Sequence, residues 1–197
     1  MLTERYYSRT LPHWERPGHS IFLTWRLFGS LPTEFRTDVN TKEKNAGIRF
    51  VRFDRHLDDA RFGPLWLKEP RVAEIVTRAI NRGERELHQY STVAFTVMSN
   101  HVHLLLRPLV PLREITKGIK GSTARHANAL LGRTGAQLWQ DESFDRWTRD
   151  DLEELRIVRY IEINPVRAGL VRIPSDWPWS SAQQRVRTDS RIHADAR

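Results

Sequence analysis

Two histidines separated by one residue, His101 and His103, stand in the run NHVHLLLRP. In an extended strand alternate side chains share a face, and i to i+2 spans about 6.8 Å. The two imidazoles therefore project together, while Val102, Leu104 and Leu106 project the other way into a core. Two convergent imidazoles suit a cation, but two ligands do not hold one. Two surface histidines on a half-exposed strand are an equally simple reading of so short a pattern. Some sixty residues further on stands RYIEINP. On a helix Arg156, Tyr160 and Asn164 fall at successive i+4 steps and form one stripe. Leu155, Ile157, Val158 and Ile161 form the buried arc. Tyr160 is thus not placed like a core tyrosine, although a rim residue with a wet hydroxyl is an ordinary alternative. Asn164 carries a carbonyl oxygen able to complete a hard-cation site, or it caps a helix before Pro165.

These side chains need elements to position them. HSIFLTWRLFGSLP reads as a strand that is apolar on both faces, closed by Gly29 and Pro32. Residues 33 to 69 are dominated by charge up to Arg55 and then bring Phe62, Leu65, Trp66 and Leu67. They read as a helical or irregular excursion whose aromatic patch packs against the body. PRVAEIVTRAINRG is a helix with Pro70 in its first turn, an apolar face of Val72, Ile75, Val76, Ala79 and Ile80, and Gly83 as its stop. Tyr90 to Met98 and His101 to Leu106 are two β-rich runs around Ser99-Asn100, a hairpin pattern, and Pro108 ends the second. PLREITKGIKGSTARHANALLG is a helix whose apolar side is Leu112, Ile115, Ile119, Ala127 and Leu130. Arg113, Lys117 and Lys120 cluster on another side. Gly118 and Gly121 each weaken this helix by about 1 kcal/mol relative to Ala and would permit a close backbone approach. QLWQDESFDRWTRD reads as a short hairpin or loop. DLEELRIVRYIEINP is a helix opened by a capping-box pattern, Asp150 with Glu153, and ended near Asn164 by Pro165. The element order predicts an α+β fold with a mainly antiparallel sheet carrying helices on one face. With no internal repeat or linker, one domain over 1–197 is expected, with a polar tail from about 186.

Composition narrows the function. Hydrophobic residues make up 39% and charged residues 28%, as in an ordinary globular chain. The absence of cysteine excludes disulfides, thiolate zinc sites and cysteine nucleophiles, and fits a cytoplasmic protein. No apolar run is long enough to predict a membrane helix, and the N-terminus lacks the apolar region of a secretory signal. The net charge is +8, and arginine far outnumbers lysine. Guanidinium forks match phosphate oxygens and stack on bases, so the bias favours a nucleic-acid partner, with a merely basic protein as the plain alternative.

Together NHVHLLLRP and RYIEINPVRAGLV resemble the HUH single-strand endonucleases, in which two histidines flank a bulky hydrophobic residue. Within them the chain is similar to the REP-associated tyrosine transposases, relatives of one-tyrosine insertion-sequence transposases. RPGHSIFLTWRLFGSLP, VMSNHVHLLLRP, KGIKGSTARHAN, LWQDESFDRW and DWPWSSA add to the resemblance, which covers roughly residues 10 to 185. Ser99 stands where such proteins usually have proline, which alters the turn and not the chemistry.

The resemblance implies a ferredoxin-like or RRM-like antiparallel sheet. It implies His101 and His103 as the metal pair, Tyr160 as nucleophile and Asn164 at the position of a third metal ligand. The implied cofactor is Mg²⁺ or Mn²⁺, an identity taken from the family, because imidazoles by themselves suit Zn, Ni or Cu better. The implied partner is single-stranded or hairpin DNA at REP-type palindromes, and the implied assembly is a monomer or homodimer. On that reading Arg113, Lys117 and Lys120 grip phosphates along one helix. Arg146, Trp147 and Arg149 suit stacking on unpaired bases. Arg156, on the tyrosine stripe, would stabilise phenolate or phosphate. A solvated helix face and a packed tryptophan are the structural alternatives for these groups, and plain core is the alternative for Trp177 and Trp179. Two rival functions remain at this level: a non-catalytic hairpin-binding protein of the same fold, and a small-molecule metal hydrolase.

Overall fold

The computed structural model describes residues 5–8, 12–15, 18–31, 54–60 and 62–186. Strands β1 (Arg5–Ser8) and β2 (Pro12–Glu15) form an antiparallel pair that the polar N-terminal sequence did not announce. The main sheet contains β3 (Ile21–Arg26), β4 (Tyr90–Val97), β5 (His101–Pro108) and β6 (Phe144–Trp147). It is antiparallel throughout, in the order β4-β5-β3-β6. Three long helices accompany it: α1 (Pro70–Arg85), α2 (Leu112–Leu130) and α3 (Asp151–Arg167). The α+β class and the antiparallel sheet are those expected.

The central strands explain the layering. β3 is buried along its whole length, and β5 is buried from His101 to Leu106. A strand apolar on both faces needs a cover on each. On one face Leu23, Trp25, Phe95, Val97, Val102, Leu104 and Leu106 pack under α1 and α2 through Val72, Val76, Ile80, Ile115 and Ile119. On the other, Phe22, Ala94 and Leu105 pack against Ile157 and Ile161 of α3. The helices therefore do not all share one face: α1 and α2 do, and α3 covers the opposite one.

Several local expectations change for identifiable reasons. Gly83 does not stop α1, which continues to Arg85. It lies against the ring of Tyr90, where a β-carbon would collide. Gly118 and Gly121 face open space, with nothing within 4 Å of an added β-carbon. The segment after α2 is not a separate hairpin: Trp139 bridges to Leu27, and β6 is an edge strand on β3. Leu155 is 65% exposed rather than part of the buried arc, and Phe62 is exposed at 56%. Leu67 is buried, and Trp66 lies under the Arg133 guanidinium, 4.7 Å from its ring centre. The expected excursion over 33–53 lies outside the described residues.

Helix α3 runs past Pro165 to Arg167 and ends in a Schellman motif. Gly169 has φ +69, Leu170 N donates to Pro165 O at 2.9 Å, and Gly169 N donates to Val166 O at 3.0 Å. At its start the Asp150 side chain accepts from Glu153 N at 2.7 Å, as the capping pattern predicts. The other free edge of the sheet is covered by the DWPWSSA segment. Val97 N donates to Trp179 O at 2.8 Å and Trp177 Nε1 donates to Val97 O at 2.9 Å. Trp177 and Trp179 are thus clamps on strand β4.

Candidate active site

Strand alternation puts His101 and His103 on the α3 side of the sheet, opposite Val102 and Leu104. Both are fully buried, not half-exposed. Their outer nitrogens are already engaged. Asn100 Nδ2 donates to Leu57 O at 3.0 Å, which fixes its amide and turns Oδ1 toward His101 Nδ1 at 2.7 Å. His101 Nδ1 must therefore carry the proton, leaving Nε2 bare. His103 Nδ1 lies 2.8 Å from Thr24 Oγ1. The two Nε2 atoms then meet at 3.1 Å. Such outer partners fix ring orientation and tautomer in metal-ligating histidines.

Three further side chains converge on these nitrogens. Asp54 Oδ1 lies 3.2 Å from His103 Nε2 and 3.8 Å from His101 Nε2. Asp58 Oδ1 lies 3.7 Å from His101 Nε2. Asn164 is fully buried on α3, and its neighbours assign its amide orientation: with Nδ2 toward Asp58 it donates to the two carboxylate oxygens at 2.8 and 3.1 Å, and its Oδ1 stands 3.0 Å from His103 Nε2. Neither Asp54 oxygen meets a donor in good hydrogen-bond geometry. A single proton on His103 Nε2 could serve only one of these lone pairs, whereas a cation serves them together. The donors His101, His103 and Asp54 form a buried group able to hold a metal ion.

The electrostatics agree with a cation site. Burial, reinforced by His103, pushes the His101 pKa down to about 3, so the imidazole is neutral and able to ligate. Burial raises the Asp54 carboxyl, but the neighbouring His103 and His101 bring it net below its ordinary value. Burial and the Asp54 charge push Asp58 up to about 7, against a partial offset from His103 and Arg167.

Tyr160 lies half-buried beside this cluster. Its ring centre is 5.8 Å from that of His103 and 6.2 Å from that of Phe22, with the Arg167 guanidinium 5.5 Å from it. The predicted stripe is graded: Arg156 is exposed, Tyr160 half-buried and Asn164 buried. Arginine–carboxylate pairs hold α3 in place. Arg107 of β5 reaches Glu154 at 2.6 Å, Arg185 reaches Glu162 at 2.5 Å, and Arg146 of β6 pairs with Glu153.

The expected DNA-contacting residues fall in two places. Arg146 and Arg149 both bind the Glu153 carboxylate, Arg149 at 3.1 Å, and Trp147 stands half-buried on the edge strand. Arg113, Lys117 and Lys120 lie on α2, the layer across the sheet from the histidines. Arg113 and Lys117 are exposed. Lys120 Nζ donates to Gln140 O at 2.7 Å and Asp141 O at 2.8 Å, and burial lowers its pKa to about 8. It ties a loop to the helix. Sequence reading missed Asp54, Asp58, Asn100 and Arg167. The i,i+4 spacing of Asp54 and Asp58, which puts two carboxylates on one helical face, was the available signal.

Residues 67–164 match the family model described as IS200-like transposase. A Haemophilus influenzae protein assigned to the REP-associated tyrosine transposases is 24% identical over 115 residues, which is 53% of this chain and 65% of that protein. A solved REP-associated tyrosine transposase bound to a REP hairpin superposes with a TM-score of 0.53 at 17% identity, covering 91% of this chain and 86% of that one. At this identity the likeness is one of fold.

Proposed function

The segment 67–164 belongs to the IS200-like transposase family, and from that premise we propose that this protein cleaves and rejoins single-stranded DNA at REP-type palindromic hairpins through a 5′-phosphotyrosine. The observation that carries the reading is Tyr160, half-buried on α3 with its ring 5.8 Å from His103 of the cation site. His101, His103, Asp54 and Asn164 would hold Mg²⁺ or Mn²⁺, which supplies a Lewis acid toward a non-bridging phosphate oxygen.

The Tyr160 oxygen attacks the phosphorus. A tyrosine–phosphate bond forms to the 5′ side, the bond to the 3′ oxygen breaks, and that oxygen takes up a proton as a 3′-hydroxyl. A 3′-hydroxyl of the joining strand reverses the step, and because each exchange conserves a phosphodiester bond no ATP is needed. Free tyrosine has a pKa of about 10, so the phenolate needs help. The Arg167 guanidinium over the ring and the exposed Arg156 one turn earlier are the cations placed to stabilise it or the phosphate. Arg149, Arg146 and Trp147 would contact the strand beside α3, with Arg113 and Lys117 as outlying phosphate contacts. Lys120 has its ammonium committed to backbone carbonyls. The protein would act as a monomer or homodimer, in the cytoplasm where the DNA is. Among the described residues no helix is long and apolar enough to cross a membrane.

A labelled REP-type hairpin incubated with the protein and Mn²⁺ tests the proposal. A covalent protein–DNA adduct is expected from wild type and none from Tyr160→Phe. Hairpin binding with no cleavage by either would instead fit a non-catalytic hairpin-binding protein.

A further inference from the structure

We propose that the helical turn over 54–58 closes the metal centre: Asp54 is a direct ligand, and Asp58 is a positioning residue that holds the Asn164 amide with its oxygen inward. The result is a centre of four protein donors, two nitrogens and two oxygens, that prefers Mn²⁺ to Mg²⁺. The inference rests on His101 and His103 being the metal pair. It adds a contribution from a segment that precedes the family match at residue 67.

Residues 54 and 58 stand four apart on one helical turn, so their side chains share a face. The turn is pinned by the asparagine that orients His101: Asn100 Nδ2 donates to Leu57 O at 3.0 Å, and Leu57 is 1% exposed. One side chain thus sets both the ligand and the turn that opposes it. A cation with ligand bonds near 2.1 Å has neighbouring donors about 3.0 Å apart in an octahedron and about 3.4 Å in a tetrahedron. The separations 3.0 Å for Asn164 to His103, 3.1 Å between the histidines, 3.2 Å for Asp54 to His103 and 3.8 Å for Asp54 to His101 bracket these edges. Asp54 is 1% exposed, and neither of its oxygens meets a donor in good hydrogen-bond geometry.

Asp58 acts one step removed. An asparagine amide can present either its oxygen or its NH₂, and only the oxygen ligates. The Asp58 carboxylate accepts both contacts from Asn164 Nδ2 and so selects the ligating orientation. Mg²⁺ dehydrates reluctantly and keeps several waters, so four protein donors with two imidazoles disfavour it relative to Mn²⁺, while Zn²⁺, Ni²⁺ and Cu²⁺ suit imidazole better still.

The test is titration of the metal-free full-length protein with MnCl₂ and, separately, MgCl₂ by calorimetry, with folding monitored by circular dichroism. Wild type is expected to bind Mn²⁺ at least tenfold more tightly than Mg²⁺. Asp54→Asn is expected to weaken Mn²⁺ by about 100-fold or more, and Asp58→Asn by about 10- to 100-fold, with partial recovery in Asp58→Glu. The exposed neighbour changed in Asp59→Asn should leave affinity unchanged. Wild-type affinity in Asp54→Asn overturns the ligand assignment, and wild-type affinity in Asp58→Asn overturns the positioning role. Spectroscopic counting of exchangeable water on Mn²⁺ bound to wild type needs no variant: two waters support four protein donors, and three or more overturn them. Adduct formation on the hairpin is scored separately, so a protein that binds Mn²⁺ in this way but makes no adduct loses the transposase reading and keeps this one.

Discussion

The two faces of the sheet each carry a tyrosine, and the two are used in opposite ways. Tyr90 belongs to the face under α1 and α2. It is 1% exposed, its hydroxyl donates to Ile80 O at 2.7 Å, and burial with the nearby Glu84 raises its pKa. It is a packed ring with a satisfied tip. Tyr160 belongs to the face under α3, where Phe22, Ala94, Leu105, Ile157 and Ile161 make only a small apolar cluster. Beside it lie buried polar groups, among them His101 and His103 of the sheet, Asn164 of α3 and Asp54 of the 54–58 turn. Burying such groups is costly unless hydrogen bonds compensate, and here Asn100, Thr24 and Asp58 engage the two imidazoles and the amide. One face packs the main core, and the other gathers the candidate site on the same strands.

The sharpest contrast comes from adjacent residues of β5. His103→Ala should abolish measurable Mn²⁺ binding in calorimetry and adduct formation with it, while the far-UV circular dichroism stays that of wild type. Leu104→Ala points to the other face and should do the reverse. It should lose about 2–5 kcal/mol in urea denaturation, the usual range for a fully buried leucine, and bind Mn²⁺ normally below the unfolding transition. If both variants lose metal equally, the faces are not separable. Smaller effects refine the picture. Asn100→Ala removes the group that fixes the His101 tautomer, and a 10- to 100-fold loss of Mn²⁺ affinity is expected.

The pH dependence should be gentler still. Burial and Asp54 hold the Asp58 pKa at about 7. In the metal-free protein its contribution to stability is complete below the ordinary carboxylate value of 3.8 and is lost as pH rises through about 7. Mn²⁺ is favoured by the ionised carboxylate, so its affinity should climb toward pH 7 and level off above. The rise in Tm on adding Mn²⁺ should therefore be larger at pH 8 than at pH 6. His101, held at about 3 by burial, is neutral at both and adds no step. An affinity flat from pH 6 to 8 would contradict the raised pKa of Asp58.

What the sequence discloses follows from where periodicity survives. The alternation of His101, Val102, His103 and Leu104 is a strand signal, and it assigned each side chain to its face. The Asp150–Glu153 cap and the Arg156, Tyr160, Asn164 stripe are helix signals, and they placed the nucleophile candidate. The 54–58 turn has one strongly buried apolar residue, Leu57, amid charge, so no amphipathic pattern marks it, and both carboxylates near the histidines, Asp54 and Asp58, stayed hidden. The end of α3 was misjudged because Pro165 disfavours helix in the residue before it, while the left-handed Gly169 and the Pro165 carbonyl it helps satisfy decide the true end. Arg146 and Arg149 looked free because their partner, Glu153, was read only as a cap. The i,i+4 spacing of Arg149 and Glu153 was visible, but the approach of β6 to α3 was not.

The central claim is that Tyr160 is the residue joined to DNA. Trypsin cleaves after Arg159 and after Arg167, so Tyr160 lies in the peptide YIEINPVR, apart from Tyr6, Tyr7 and Tyr90. Digestion of the hairpin adduct with nuclease and trypsin, followed by mass spectrometry, should find that peptide carrying a 5′-linked nucleotide phosphate on tyrosine. The same modification on another tyrosine, or an adduct that persists in Tyr160→Phe, would contradict the account.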